Sequence, residues 1–295
     1  MEQLNLTAVT SNISSSFELL PSPSMDSRGF TVPAAVIMSL CFLLGVPGNI
    51  AVIILKPKFQ QLSSMTQSLM LNLAVSDLLC LLTLPLWIYS LLYNWIFGLL
   101  ACKFLAYLTY CSLYGSLLTV VLLSFQRYML IVHQQFQTKM RLCLVLLWLV
   151  SLILAIPALV VSQDIPDKHR LRCVLLLSSR SKKLAVMVTD TLVGFTSCFI
   201  VAFSYIQLYR KVNRSPFFNN PQTSRLVTSI IIVFFVLWIP YHTINVLVMA
   251  APEFFTYCLK ALYTVKALLF VNSCLNPVLY AFTSKILGCK RKLFS

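Results

Sequence analysis

Long oily stretches separated by short basic segments set the pattern of this chain. Gly29 to Leu55 carries no charge, and Phe59 to Cys102 carries only Asp77. Phe104 to Gln126 and Leu142 to Gln163 carry none. Leu184 to Tyr209 has only Asp190, Leu226 to Pro252 only His242, and Ala261 to Ser284 only Lys266. A helix crosses a bilayer core with about 20 mostly apolar residues, so each stretch can span. The second is long, and its break falls at Tyr93-Asn94-Trp95-Ile96-Phe97-Gly98, leaving one span plus a loop. Backbone polar groups must be satisfied inside lipid, and the period-2 alternation of a barrel is absent, so the spans are helices. The pattern predicts an all-α membrane protein: a seven-transmembrane helix bundle. Residues 1–30 form an outer tail, 31–283 the bundle, and 284–295 a short amphipathic cytoplasmic helix and tail.

Composition agrees. Of 295 residues, 59% are apolar and only 11% are charged, against about 45–50% and 25% in soluble domains. A soluble enzyme and a disordered chain are both excluded. The net charge of +15 lies between the oily runs, which marks loops beside a membrane rather than a nucleic-acid partner. An odd number of spans puts the termini on opposite sides. Two sequons, Asn5-Leu6-Thr7 and Asn12-Ile13-Ser14, favour an outside N-terminus with Asn5 and Asn12 as glycosylation sites. The segments then facing inward hold Lys56, Lys58, Arg127, Lys139, Arg141, Arg210, Lys211, Arg214, Arg225, Lys285 and Lys290-Arg291-Lys292, an excess over most outer loops of the expected sign, with the basic outer loop at 164–183 as the exception. No basic leader with a cleavage site precedes the first span, so the first helix is expected to direct insertion.

Polar groups inside the oil are costly and mark function. Asp77 with Ser116, Asn272, Ser273 and Asn276 could form an oxygen cage for sodium. Equally, a neutral Asp77 could brace two helices through hydrogen bonds. Pro240 and Pro277 lie inside helical runs beside Trp238 and Tyr280 and are expected to kink them. Cys102 and Cys173 both face an oxidising compartment. Cys258 is the remaining cysteine near that side, so Cys102 with Cys173 is the leading disulfide pair. Cys289, beside Lys290, is a candidate for S-acylation, with a free thiol as the alternative.

Taken in order, Gly48-Asn49, Leu73-Ala74-Val75-Ser76-Asp77, Arg127-Tyr128, Trp148, Tyr205, Trp238-Ile239-Pro240 and Asn276-Pro277-Val278-Leu279-Tyr280 resemble the class A (rhodopsin-like) G-protein-coupled receptors. The resemblance runs from about residue 30 to the end. It implies a receptor that binds an outside ligand and activates a heterotrimeric G protein, not an enzyme. It also implies a sodium pocket at Asp77, Ser116, Asn272 and Ser273, and a toggle at Trp238 with Pro240. Activation contacts are implied at Arg127, Tyr128, Tyr205, Asn276, Pro277 and Tyr280. Thr83-Leu84-Pro85 and Trp95-Ile96-Phe97-Gly98 resemble the chemoattractant branch, which implies an inhibitory-class G protein. Trp238 to Asn245 and Gly194-Phe195 are similar to the leukotriene B4 receptors. The tail lacks the additional cysteine usual in chemokine receptors, which counts against a protein chemokine.

Three departures matter. Gln126 stands where the family usually has an acid, and no Asp or Glu occurs in 56–61, 126–141, 210–225 or 283–295. The resting lock on Arg127 is therefore expected to be weak and basal signalling raised, unless Tyr and Gln hydrogen bonds replace it. The fifth span lacks the family's proline, with Ser197 or Cys198 in its place. The tail offers only Thr283, Ser284 and Ser295 for phosphorylation, so arrestin recruitment through it is expected to be poor. Ser215, Thr223 and Ser224 could substitute.

Lys266 lies eleven residues before Pro277, about three turns toward the outside and at pocket depth. It needs an anion, either Asp190 or a ligand carboxylate. The outer loop adds Lys168, Arg170, Arg172, Arg180, Lys182 and Lys183 against Asp164 and Asp167, a lid that could steer an anionic ligand; the alternative is that Lys266 snorkels to the interface and the loop charges are merely solvated. Tyr107, Tyr110, Tyr241, His242 and Asn245 could line the cavity. The expected ligand is a lipid acid such as leukotriene B4. A peptide or chemokine receptor and a non-signalling decoy are the alternatives. A transporter would show repeated halves, and an HExxH or GxSxG enzyme motif is absent.

Overall fold

The computed structural model describes residues 28–55, 64–132, 140–167, 170–175, 180–213, 221–250 and 264–278. Their order is α1 (Arg28–Ile54), α2 (Ser64–Leu82), α3 (Leu84–Leu92), α4 (Gly98–Val132), α5 (Met140–Val161), β1 (Ser162–Asp167), β2 (Arg170–Leu175), α6 (Arg180–Asn213), α7 (Pro221–Ala250) and a helix over 264–278, here α8. Helices α2 and α3 are two parts of one rod, so the eight helices among the described residues make seven spans. Five of these rods are long and apolar enough to cross a membrane in their described residues, and α7 contributes the apolar stretch Ile231–Leu247.

The break between α2 and α3 falls at Thr83, not only at the loop after Tyr93. Pro85 in the first turn of α3 has no N–H to bond back to Leu81. Thr83 closes the gap by donating its hydroxyl to the Cys80 carbonyl at 2.6 Å. Thr109 of α4 lies 3.2 Å from the Thr83 hydroxyl and accepts the Trp87 indole N–H at 2.9 Å. The kink is thus tied to the third span. Gly98 starts α4 at φ +76°, where a side chain would be strained.

The third span is the axis. Helix α4 packs against α2, α5, α6 and α7, and its Leu113, Leu117, Val120 and Leu123 are buried. Asn72 of α2 donates to Thr119 at 2.7 Å and accepts the Trp148 indole N–H at 2.9 Å, joining three spans. Large apolar residues such as Leu43, Ile153, Phe199 and Val236 are exposed on the outside of the bundle, as a lipid-facing surface requires. Helix α1 meets α8 through small residues. A Cβ on Gly45 would lie 2.6 Å from Leu81 Cδ1 and 2.9 Å from Cys274 Cβ, and one on Gly48 would lie 2.9 Å from Pro277 Cβ. Close backbone approach of this kind drives helix association where no hydrophobic force acts between helices.

The segment between α5 and α6 is an antiparallel hairpin, β1 paired with β2 from Ser162–Leu175 to Asp167–Arg170. The charged sequence hides it, because its alternation is short. The hairpin is pinned to the bundle at three points. Cys173 is bonded to Cys102, with Cα atoms 5.5 Å apart. Trp95 donates its backbone N–H to the Leu171 carbonyl at 2.8 Å. The Leu171 N–H donates to Asn94 Oδ1. Cys102–Cys173 is therefore the pair that forms. Cys258 lies outside the described residues, as do Asn5, Asn12, Tyr280, Cys289 and the 284–295 segment.

Candidate functional site

Two buried polar clusters lie along the axis, and each is centred on one carboxylate. The first surrounds Asp77. Ser116 of α4 donates to Oδ1, and Asn276 of α8 donates to Oδ2 at 2.6 Å. Asn49 of α1 donates to the Gly45 and Ser273 carbonyls at 2.9 and 3.0 Å. Asn276, not Asn272, is thus the amide that meets Asp77. Asn272 is buried one turn earlier and is not among the carboxylate's partners. The reason is helical phase: Asn276 and Ser273 are three residues apart and share the face turned to α2. Ser273 Oγ lies close to Asp77 but outside hydrogen-bond geometry. Among the described residues, Ser76 Oγ, Asn276 Oδ1 and Asn49 Oδ1 are also buried without a hydrogen-bond partner. A carboxylate with the unpartnered oxygens of Ser273 and Asn276 beside it offers the ligand type that a small hard cation takes. Among the described residues, no group of three or more His, Cys, Asp or Glu could hold a transition metal.

The second cluster surrounds Asp190 in α6. Tyr114 of α4 donates to Oδ1 at 3.1 Å. Tyr241 and Asn245 of α7 donate to Oδ2 at 2.5 and 3.2 Å. The carboxylate therefore ties three spans together. It is 6% exposed. Sequence reading found Asp190, Tyr241 and Asn245 but not Tyr114, whose signal was its place one turn after Tyr110. The tyrosine rings of 110 and 114 are 6.2 Å apart, and Tyr110 packs against the core beside them.

Lys266 is half-buried in α8 and feels the field of Asp190, but forms no ion pair with it among the described residues. The three neutral donors already occupy that carboxylate. Of the two anions expected for Lys266, Asp190 is therefore not a bonded partner. Tyr107 also departs from expectation. Its hydroxyl donates to the Leu152 carbonyl of α5 at 3.2 Å, which turns it toward the fourth span and away from Asp190. Tyr107 precedes Tyr110 by three residues and Tyr114 by seven, but its hydroxyl finds its acceptor on the neighbouring helix.

His242 lies beside this cluster, fully buried at 1% exposure, with neither ring nitrogen hydrogen-bonded among the described residues. Its ring stacks on Trp238 at 5.8 Å and 22°. Trp238 stacks in turn on Phe234 at 5.8 Å. Pro240 lies inside α7 between Trp238 and His242. Toward the other end, Gln126 is buried and donates to Thr66 Oγ1 at 3.1 Å. Tyr128 meets the Phe203 ring edge-on at 6.0 Å, and Tyr205 packs on the core. Arg127 lies in α4, and its side chain is outside the described residues.

A continuous row thus runs from the Asp190 cluster through His242, Trp238 and Phe234 in α7. This is the build of a seven-helix receptor. Residues 48–280 match the 7 transmembrane receptor (rhodopsin family), and the chain belongs to that family of multi-pass membrane receptors. It is 31% identical over 266 residues to C-C chemokine receptor type 1 of Homo sapiens, covering 84% of this chain and 75% of that protein. It is 30% identical to G-protein coupled receptor E1 of Equine herpesvirus 2, covering 86% and 71%. It is 29% identical to human C-C chemokine receptor type 8, covering 85% and 75%. These relatives place the chain beside chemokine receptors, and the expected similarity to leukotriene B4 receptors gains no support from them.

Proposed function

We propose that this chain is a cell-surface chemoattractant receptor for a peptide or protein ligand of the chemokine kind, coupled to a heterotrimeric G protein. The observation that supports the ligand class is the run of chemokine-receptor relatives over more than four-fifths of the chain. It reverses the order of the two ligand readings drawn from the residues alone. A lipid acid remains the second reading, because half-buried Lys266 has no bonded anion among the described residues. Either ligand would present an anionic group there: an acidic side chain or C-terminus of a peptide, or the carboxylate of a lipid.

The N-terminus lies outside in this reading, with the disulfide-pinned hairpin over the ligand cavity and Arg127, Tyr128 and Tyr205 at the G-protein face. An inhibitory-class G protein follows from the chemoattractant branch. Asp77, Ser116, Ser273 and Asn276 would hold a sodium ion, with Asn272 behind them, and the ion would supply a positive charge that steadies the inactive packing of α2 against α8. Glycans at Asn5 and Asn12, an acyl chain at Cys289 and contact with membrane lipids complete the picture.

GTP exchange on purified G protein tests it, with membranes bearing the chain challenged by C-C chemokines, chemoattractant peptides and lipid acids including leukotriene B4. A chemokine or peptide response supports the first reading, and a response to lipid acids alone the second. Ligand binding without exchange would mark a decoy and refute coupling. Lys266→Ala should raise the half-maximal concentration of the active ligand, and an unchanged value removes Lys266 from the site.

A further inference from the structure

We propose that His242 is a positioning residue that couples the ligand cavity to Trp238 through a seat cut into the fifth span at Gly194. This rests on reading the chain as a signalling receptor, and it names a device within that site. The seat is a matter of space. A Cβ on Gly194 would lie 2.0 Å from both Cε1 and Nε2 of His242 and 2.5 Å from Cδ2. Only a glycine lets the imidazole lie flat against α6 there. Phe195, Trp238 and Tyr241 close the other sides, with ring centroids 6.0, 5.8 and 5.2 Å away.

The seat is well packed and poorly hydrogen-bonded. Among the described residues, both imidazole nitrogens lack a partner, and so does Trp238 Nε1 on the ring stacked against it. Burying polar atoms without partners is unfavourable, so the seated ring is held by shape alone. A competing position lies close by. Asp190 is four residues before Gly194, one turn along the same face of α6. Its carboxylate is engaged by Tyr114, Tyr241 and Asn245. A ligand that draws Tyr241 or Asn245 away from Asp190 frees an acceptor within a turn of the imidazole. His242 then gains a hydrogen bond by leaving the seat, and Trp238 loses the ring that stacks on it. This gives two discrete arrangements of one side chain, biased by ligand on one side and felt by Trp238 on the other, which is what coupling between sites requires.

The test fills the seat. Gly194→Ala should displace the imidazole and raise ligand-free GTP exchange by about fivefold or more, the low end of coupling between two sites. His242→Phe keeps an aromatic ring but has no nitrogen to seek a partner. It should reach a lower maximal response and bind ligand more weakly, since coupling between the two sites is reciprocal. His242→Ala in the Gly194→Ala background should return exchange to that of His242→Ala alone, since the clash is gone. Ligand-free exchange unchanged in Gly194→Ala, or a further rise when Gly194→Ala is added to His242→Ala, overturns the proposal. Imidazole nitrogen resonances in lipid nanodiscs read the seat without any signalling. The chain has three histidines, so loss of one signal in His242→Phe assigns it. That signal should move in Gly194→Ala, and a fixed signal also overturns the proposal. A parent chain that stimulates no exchange with any ligand defeats the receptor reading, while the resonance still decides the seat.

Discussion

Tyr241→Phe isolates one bond of the Asp190 cluster and leaves the ring in place. The parent hydroxyl lies 2.5 Å from Oδ2, the shortest of the three contacts to this carboxylate, against 3.1 Å for Tyr114 and 3.2 Å for Asn245. A hydrogen bond to a charged group contributes about 1.5–3 kcal/mol. Two donors remain in the variant, so the loss should fall near 2 kcal/mol. A chain of this size shifts its melting temperature by roughly 2–4 °C per kcal/mol, which gives a fall of about 4–8 °C for the variant. Asp190→Ala should cost more than twice as much, because three buried donors are then left without an acceptor at about 1–3 kcal/mol each. The assay is thermal unfolding of detergent-solubilised receptor without ligand, followed with a thiol-reactive dye. Buried thiols such as Cys80 and Cys111 report the opening of the bundle. A double cycle of Tyr241→Phe with Asp190→Asn should show coupling of about 0.5–3 kcal/mol. Unchanged melting in Tyr241→Phe, or strictly additive effects in the cycle, would refute the claim that this cluster binds the third, fifth and sixth spans together.

Gly45→Ala should lower stability by about 1–3 kcal/mol through overpacking, because the added methyl meets Cys274 Cβ and Leu81 at under 3 Å; the same melting assay reads it. Cys102→Ser opens a crosslink between residues 71 apart, worth about 4 kcal/mol on the chain-entropy account, and surface-expressed folded receptor should fall sharply in flow cytometry. Gln126→Asp places an acid next to Arg127 and should reduce ligand-free GTP exchange; an equal or higher rate in the variant contradicts a weak resting lock.

Hydrophobic run length was enough to fix the seven rods, because a bilayer imposes one length and one hydrogen-bonding solution on every span. Order and spacing of Asn49, Asp77, Arg127, Trp238, Pro240 and Pro277 were enough to fix the family. Isolated polar residues in oil stood out for the same reason, so both carboxylates at the heart of the clusters were visible in the chain. Their partners were not. Helical phase and tilt set which of two amides reaches Asp77, and they chose Asn276 over Asn272. They sent Tyr107 to the fourth span and brought in Tyr114. They gave Asp190 three neutral donors in place of Lys266, because donors on three different helices converge there only once the bundle is packed. The seat for His242 is a property of space between two helices, and no count of residues along one of them contains it. Composition set what lies in the membrane, and packing decided which polar atoms meet.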